Sequence, residues 1–208
     1  PVSTSLKKDM EAFGLKGNYK IVPNIVDTSV FVPSEKKEKN YTIIHVSNFY
    51  DKQKNIVGML NVAKKIEHKI NNFTWKFIGG NKDEYAKFIE ELNFTSAKIE
   101  FINPISHKSL VTHLQSSNLC VSFSNYETFG IVMVEALSCG IPVISTNTGI
   151  LNELKPTDFF SIIPIKNEEK LGKEIINYYQ KKKTLTTKEK RRSNKNTHLT
   201  NIQSCKNL

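Results

Sequence analysis

The feature that most constrains this chain is the alternation of two kinds of apolar segment. Short, continuously apolar runs rich in β-branched and aromatic residues occupy positions 41–47, 73–79, 98–102, 119–124, 141–145 and 159–164. Runs of that kind suit strands covered on both faces. Between them lie helix-period segments at 55–70, 83–92, 107–115, 130–138 and 168 to about 182. In the first of these, Ile56, Met59, Leu60 and Ala63 recur at i, i+3, i+4 and i+7, which places them on one helical face. Strand and helix in strict alternation predict an α/β fold, a Rossmann-like parallel sheet with helices on both faces.

The 208 residues suffice for one such core and leave little over. Residues 1–40 read as a lead-in: a short strand at 19–22, a turn-rich connector Pro23-Asn24-Ile25-Val26-Asp27 running to Phe31, and a charged, exposed loop at 34–40. The sheet domain is expected over 41–183. Residues 184–208 read as a basic, disordered tail.

The net charge of +10 suggests a polyanion partner at first sight, but its distribution argues otherwise. Residues 1–180 carry 21 Lys and Arg against 19 Asp and Glu, whereas 181–208 carry 9 against the single acid Glu189. The folded part is therefore nearly neutral, and no nucleic-acid partner is expected. No apolar run approaches the roughly 18 residues of a membrane span. Cys120, Cys139 and Cys205 are odd in number, widely spaced and without a CxxC pair, which argues against a disulfide framework and a zinc site. With no secretory leader, a reducing, cytoplasmic setting is expected, and the Asn-x-Ser/Thr matches at Asn40, Asn72 and Asn93 read as chance.

In an open parallel sheet, ligands collect where strands end and helix N-termini point outward. Three strand-to-helix junctions carry suitable residues: Ser47-Asn48 with Lys54, Gly79-Gly80-Asn81, and Tyr126 to Gly130. At the third, Glu127 lies in the loop, Gly130 opens a helix, and Glu135 lies about 7 Å farther along its axis. The N–H groups of Phe129, Gly130 and Ile131 suit an anion such as a diphosphate. A sugar would then lie towards Glu127 and a ribose towards Glu135, since a carboxylate accepts two hydroxyl hydrogen bonds. Each Glu taken alone reads more readily as a cap or dipole partner, or as a solvated helix residue, than as a functional group. Glu135, however, sits among Ile131, Val132, Met133, Val134, Ala136 and Leu137, and a charge there needs a partner.

The stretch from Ser124 to Ile144, with Glu127 and Glu135 in E-x7-E spacing, Phe129-Gly130, Glu135-Ala136-Leu137 and Cys139-Gly140-Ile141-Pro142-Val143, resembles the glycosyltransferase group 1 superfamily, also called family 4. The resemblance runs from Pro23-Asn24-Ile25-Val26-Asp27 to about residue 180. It implies the C-terminal, donor-binding half of a GT-B fold. Glu127 would contact the transferred sugar, Glu135 the ribose hydroxyls and Lys54 the diphosphate. Where the family often has Gly-Arg, this chain has Ser47-Asn48, so Asn48 would offer a neutral hydrogen bond in place of a cation. Gly80 falls at the family's G-x-G turn and Phe101-Ile102-Asn103-Pro104 at its base-binding segment. His45, His68, His107 and His113 form no constellation and read as structural.

The implied activity is retaining, metal-independent transfer of a hexose from a UDP- or GDP-type sugar, with no cofactor and no metal site. The acceptor, a saccharide or a lipid-linked one, would be bound mainly by a missing N-terminal domain, through which any peripheral membrane association would arise. A separately encoded, non-catalytic donor-binding subunit and a nucleotide-sugar epimerase of the same fold stay open as alternatives.

Overall fold

The computed structural model describes residues 1–35 and 38–184. Of the expected tail, Thr184 belongs to the last helix, and the rest, Cys205 included, lies outside the described residues. Six parallel strands form one sheet: β1 (Thr42–Val46), β2 (Thr74–Ile78), β3 (Lys98–Ile102), β4 (Leu119–Ser122), β5 (Val143–Thr146) and β6 (Phe160–Ile163). All six expected runs form strands, in the spatial order β3-β2-β1-β4-β5-β6. β1 is central, with Ile43 paired to Trp75 on one side and to Leu119 on the other.

Continuous apolarity has its cause in two cores. Along each strand alternate side chains enter opposite clusters. Ile43, Trp75, Phe77, Val121 and Ile144 pack on one face with α3 (Ile56–Ile66) and α7 (Glu168–Thr184). Ile44, Ile78, Cys120 and Val143 pack on the other with α5 (His107–Ser116) and α6 (Ile131–Ser138). Gly172 lies against Ile66 and Val62, so α7 settles closely on α3.

Several local expectations are corrected. The helix expected over 55–70 is α3, which ends early at Ile66, and a short helix not expected, α2 (Asp51–Lys54), precedes it; Asn55 separates the two at φ 53° and caps α3, its side chain accepting from the Gly58 amide. α3 ends at Ile66, and the side chain of the following residue, Glu67, accepts from the amides of Thr95 and Ser96. The segment at 83–92 opens as a 3-10 turn (Lys82–Tyr85) before α4 (Ala86–Leu92). No strand forms at 19–22; those residues lie along the surface without a ladder.

The lead-in instead holds α1 (Thr4–Ala12). Ser3 caps it by accepting from the Leu6 amide at 3.1 Å. The same hydroxyl donates to the Thr128 carbonyl at 2.6 Å, and the Ser5 amide donates to Glu153 at 2.8 Å. Burial and the neighbouring Asp9 carboxylate push the Tyr126 hydroxyl pKa up, which marks a further contact of α1 with this loop. The helix was not expected because its apolar residues are few and none is buried, so tertiary hydrogen bonds hold it in place of a hydrophobic stripe.

Candidate functional site

Strand order reverses between β1 and β4, and at their carboxyl ends lies a cavity of about 380 Å³. That volume falls in the usual range for small-molecule sites. Ser47, Asn48, Lys54, Glu127, Phe129, Gly130 and Ile131 line it, above a floor that includes His45 and Cys120.

One wall is the turn after β1. His45 Nδ1 lies 2.9 Å from the Val121 carbonyl, which only accepts, so Nδ1 carries the hydrogen. Nε2 then accepts from the Ser47 hydroxyl at 2.8 Å, and Ser47 Oγ accepts from the Phe49 amide at 3.1 Å. Burial, with a smaller contribution from Lys54, pushes the His45 pKa down to about 4, so the ring is neutral and the relay keeps its direction. This chain of bonds holds Phe49 at φ 58°. Asn48 is exposed beside it, its side-chain oxygen accepting from the Tyr50 amide at 3.3 Å.

The opposite wall is the loop from β4 to α6. Thr146 donates to the Ser124 carbonyl at 2.6 Å, the Asn125 amide donates to the Gln53 carbonyl at 2.7 Å, and Ile150 donates to the Phe129 carbonyl at 2.9 Å. Gly149 passes so close beneath that a Cβ there would stand 2.7 Å from the Phe129 carbonyl oxygen and 3.1 Å from Glu127 Cβ. The loop is thereby fixed before any ligand arrives. Gly130 enters α6 at φ 79°, no side chain among the described residues caps that helix, and its first residues, Ile131 to Met133, line the cavity.

Glu127 and Lys54 meet across this space. Lys54 Nζ donates to Glu127 Oε1 at 2.6 Å, and both side chains are 13% exposed. Ser124 Oγ donates to the same oxygen at 2.8 Å. Residues 73 apart in sequence thus make one polar centre at the helix N-terminus.

Two expected site residues stand elsewhere. Gly80 is buried and does not line the cavity; a Cβ on it would lie 2.1 Å from the Phe49 ring. Glu135 does not line it either. Its side chain is 4% exposed, and its partner is His107, whose Nε2 lies 2.8 Å from Oε1. The expected need for a partner is met by a histidine that the sequence reading set aside as structural. Nothing in the spacing of His107 and Glu135, which belong to different helices, points to their meeting.

A second cleft of about 390 Å³ lies between β6 and α7, where Ser161 meets Glu174 and Tyr178. It contains none of the expected site residues. Among the described residues no group of three His, Cys, Asp or Glu side chains is placed to hold a metal ion, and no helix is long and apolar enough to cross a membrane.

An open parallel sheet in this order, with its cavity at the point of reversal, defines a Rossmann-like α/β domain. The model of the family described as glycosyl transferases group 1 matches residues 27–198, and the chain belongs to that family. Its sequence is 26% identical over 155 residues to the alpha-1,3/1,6-mannosyltransferase ALG2 of Kluyveromyces lactis, covering 69% of this chain and 30% of that protein. The chain spans about a third of the length of the curated relatives it matches.

Among solved structures, S. aureus TarM in complex with fondaparinux, alpha-GlcNAc-glycerol and UDP superposes with a TM-score of 0.78 at 18% identity, over 97% of this chain and 40% of that one. The C-terminal domain of the glycosyl transferase group 1 family protein LpcC from Francisella tularensis gives 0.64 at 20% identity, over 83% of this chain and 94% of that domain. The fold is the Rossmann-like one of GT-B glycosyltransferases.

Proposed function

We propose that this chain is the donor-binding domain of a retaining, metal-independent glycosyltransferase that moves a hexose from a UDP- or GDP-type sugar to a saccharide or lipid-linked acceptor. The observation that carries the proposal is the Lys54–Glu127 pair at 2.6 Å, set against the uncapped first turn of α6. A cation and a row of amides facing one cavity suit a diphosphate. Lys54 is paired with the Glu127 carboxylate. A diphosphate gives it a second anion, and Glu127 is left beside the sugar.

In the proposed reaction the bond from the anomeric carbon to the diphosphate oxygen breaks while the acceptor hydroxyl oxygen bonds to that carbon from the same side. The acceptor proton passes to the departing diphosphate. Lys54 and the amides of Phe129, Gly130 and Ile131 stabilise the charge that develops on the leaving group. Asn48 donates a further, neutral hydrogen bond to the diphosphate, and Glu135 receives the ribose. Glu127 positions the sugar. The acceptor is bound mainly by another domain, so the chain alone binds donor weakly and transfers little or no sugar.

Calorimetric titration of the folded chain with UDP- and GDP-sugars tests this. Binding of at least one nucleotide class is expected, weakened by Lys54→Met. Absence of binding to every member of the panel contradicts the proposal.

A further inference from the structure

We infer that His107 is a specificity-determining residue of the donor site: its ring covers Glu135 and gives way to the ribose hydroxyls. The inference rests on the donor-binding reading above.

The two carboxylates of the E-x7-E pair are in opposite states. Glu127 lines the open cavity, whereas Glu135 is 4% exposed and lies outside its lining. Glu135 Oε1 accepts from His107 Nε2 at 2.8 Å, while Oε2 is buried with no hydrogen-bond partner among the described residues. A buried carboxylate oxygen without a donor is costly, and such groups persist where a ligand or switch uses them. Glu135 also stands alone as a charge in α6, whose other residues are apolar or Ser.

His107 is its opposite in mobility. Its side chain is 65% exposed, it is the first residue of α5, and its ring is held edge-on to Phe31 with centroids 4.9 Å apart. The contact that Glu135 makes towards solvent is therefore an exposed ring, which changes rotamer readily, over a helix in the core, which does not. The cavity already runs along Ile131, Val132 and Met133 of the same helix. Rotation of His107 frees Oε1 and extends that lining by one turn to the Glu135 carboxylate. The carboxylate then has two oxygens for the paired hydroxyls of a ribose, and the imidazole is the donor with which those hydroxyls compete.

The test is calorimetric titration of the full chain with UDP and GDP and with their 2′-deoxy counterparts. Parent, His107→Ala, His107→Gln, Glu135→Gln and the His107→Ala/Glu135→Gln pair are compared, each shown to be folded by circular dichroism. His107→Ala is expected to bind the ribonucleotide about three- to tenfold more tightly, the scale of the net contribution of one ordinary hydrogen bond. The gain should be smaller for the 2′-deoxy compound, so preference for ribose widens. His107→Gln keeps an N–H donor near the place of Nε2 and should stay near the parent.

The gain should vanish in the Glu135→Gln background. Unchanged or weaker ribonucleotide binding by His107→Ala, or an equal gain without Glu135, overturns the assignment to His107 alone. Failure of the parent to bind any nucleotide overturns the donor-binding reading, and this inference with it.

Discussion

Gly130→Ala separates the backbone requirement of the site from ordinary packing. Gly130 has φ 79° and ψ 54°, a left-handed conformation that costs an L-residue about 1–2 kcal/mol. The added Cβ would also stand 2.0 Å from Met133 Cε, and Met133 is 1% exposed in the core beneath α6. A methionine terminus can move, at about 0.5–1.5 kcal/mol for an off-rotamer side chain. Together these give a loss of about 1.5–3.5 kcal/mol, which for a chain of this size lowers Tm by about 3–14 °C.

Gly172→Ala is the companion variant. Its Cβ would meet Ile66 Cγ2 at 3.3 Å and Val62 Cγ1 at 3.7 Å, so mild crowding opposes a helix-propensity gain of about 1 kcal/mol. Its Tm should stay within a few degrees of the parent, about 4 °C at most. The assay is a thermal melt followed by circular dichroism, with nucleotide titration of each variant below its transition. Gly130→Ala should also bind nucleotide more weakly, because the first-turn amides of α6 are displaced. A Gly130→Ala melt within about 1 °C of the parent, or a Gly172→Ala loss as large as that of Gly130→Ala, would refute the reasoning.

Gly80→Ala should cost about 1–3 kcal/mol through overpacking against Phe49, seen in the melt, while donor affinity measured on the folded fraction changes little. Glu67→Gln should lower Tm at pH 7, by about 1–3 kcal/mol of stability. Burial by itself would raise the Glu67 pKa, but hydrogen bonds from Lys64 and the amides of Thr95 and Ser96 outweigh it and hold the pKa down to about 2. Because the folded pKa is depressed, that stability is fully present above the unfolded value near 4.5 and is lost as pH falls towards 2. Melts of parent and Glu67→Gln across that window should converge at its acid end; a constant gap would argue against the ionised form. Ser3→Ala should destabilise by about 1 kcal/mol through loss of the α1 cap, read in a denaturant melt.

The sheet was legible because burial on both faces makes a strand apolar throughout, as Ile43 and Ile44 show by entering opposite cores. Helices with a broad apolar face were legible for the same reason. What escaped the sequence is held by polar contacts that leave no periodic trace. α1 has no buried residue and rests on Ser3, Ser5 and Asp9. α2, a single turn of polar residues that ends where Asn55 adopts a left-handed conformation, carries no apolar period to reveal it.

Within the site, Glu127, Lys54 and the α6 amides follow from the rule that ligands gather at strand ends, and all of them meet at one cavity. Gly80 satisfied the same rule in sequence, yet its missing Cβ makes room for Phe49. The relay from Val121 through His45 and Ser47 to Phe49, and the meeting of His107 with Glu135, join segments far apart in the chain. Only the fold brings them together.

The central claim is that one nucleotide-sugar donor occupies this cavity, with its ribose at Glu135 and its sugar at Glu127. Titration of Glu127→Ala and Glu135→Ala with the bare nucleotide and with the nucleotide sugar tests it most directly. Glu135→Ala should weaken both ligands alike, whereas Glu127→Ala should spare the bare nucleotide and remove the extra affinity contributed by the sugar. Equal losses for the bare nucleotide in the two variants would contradict that arrangement.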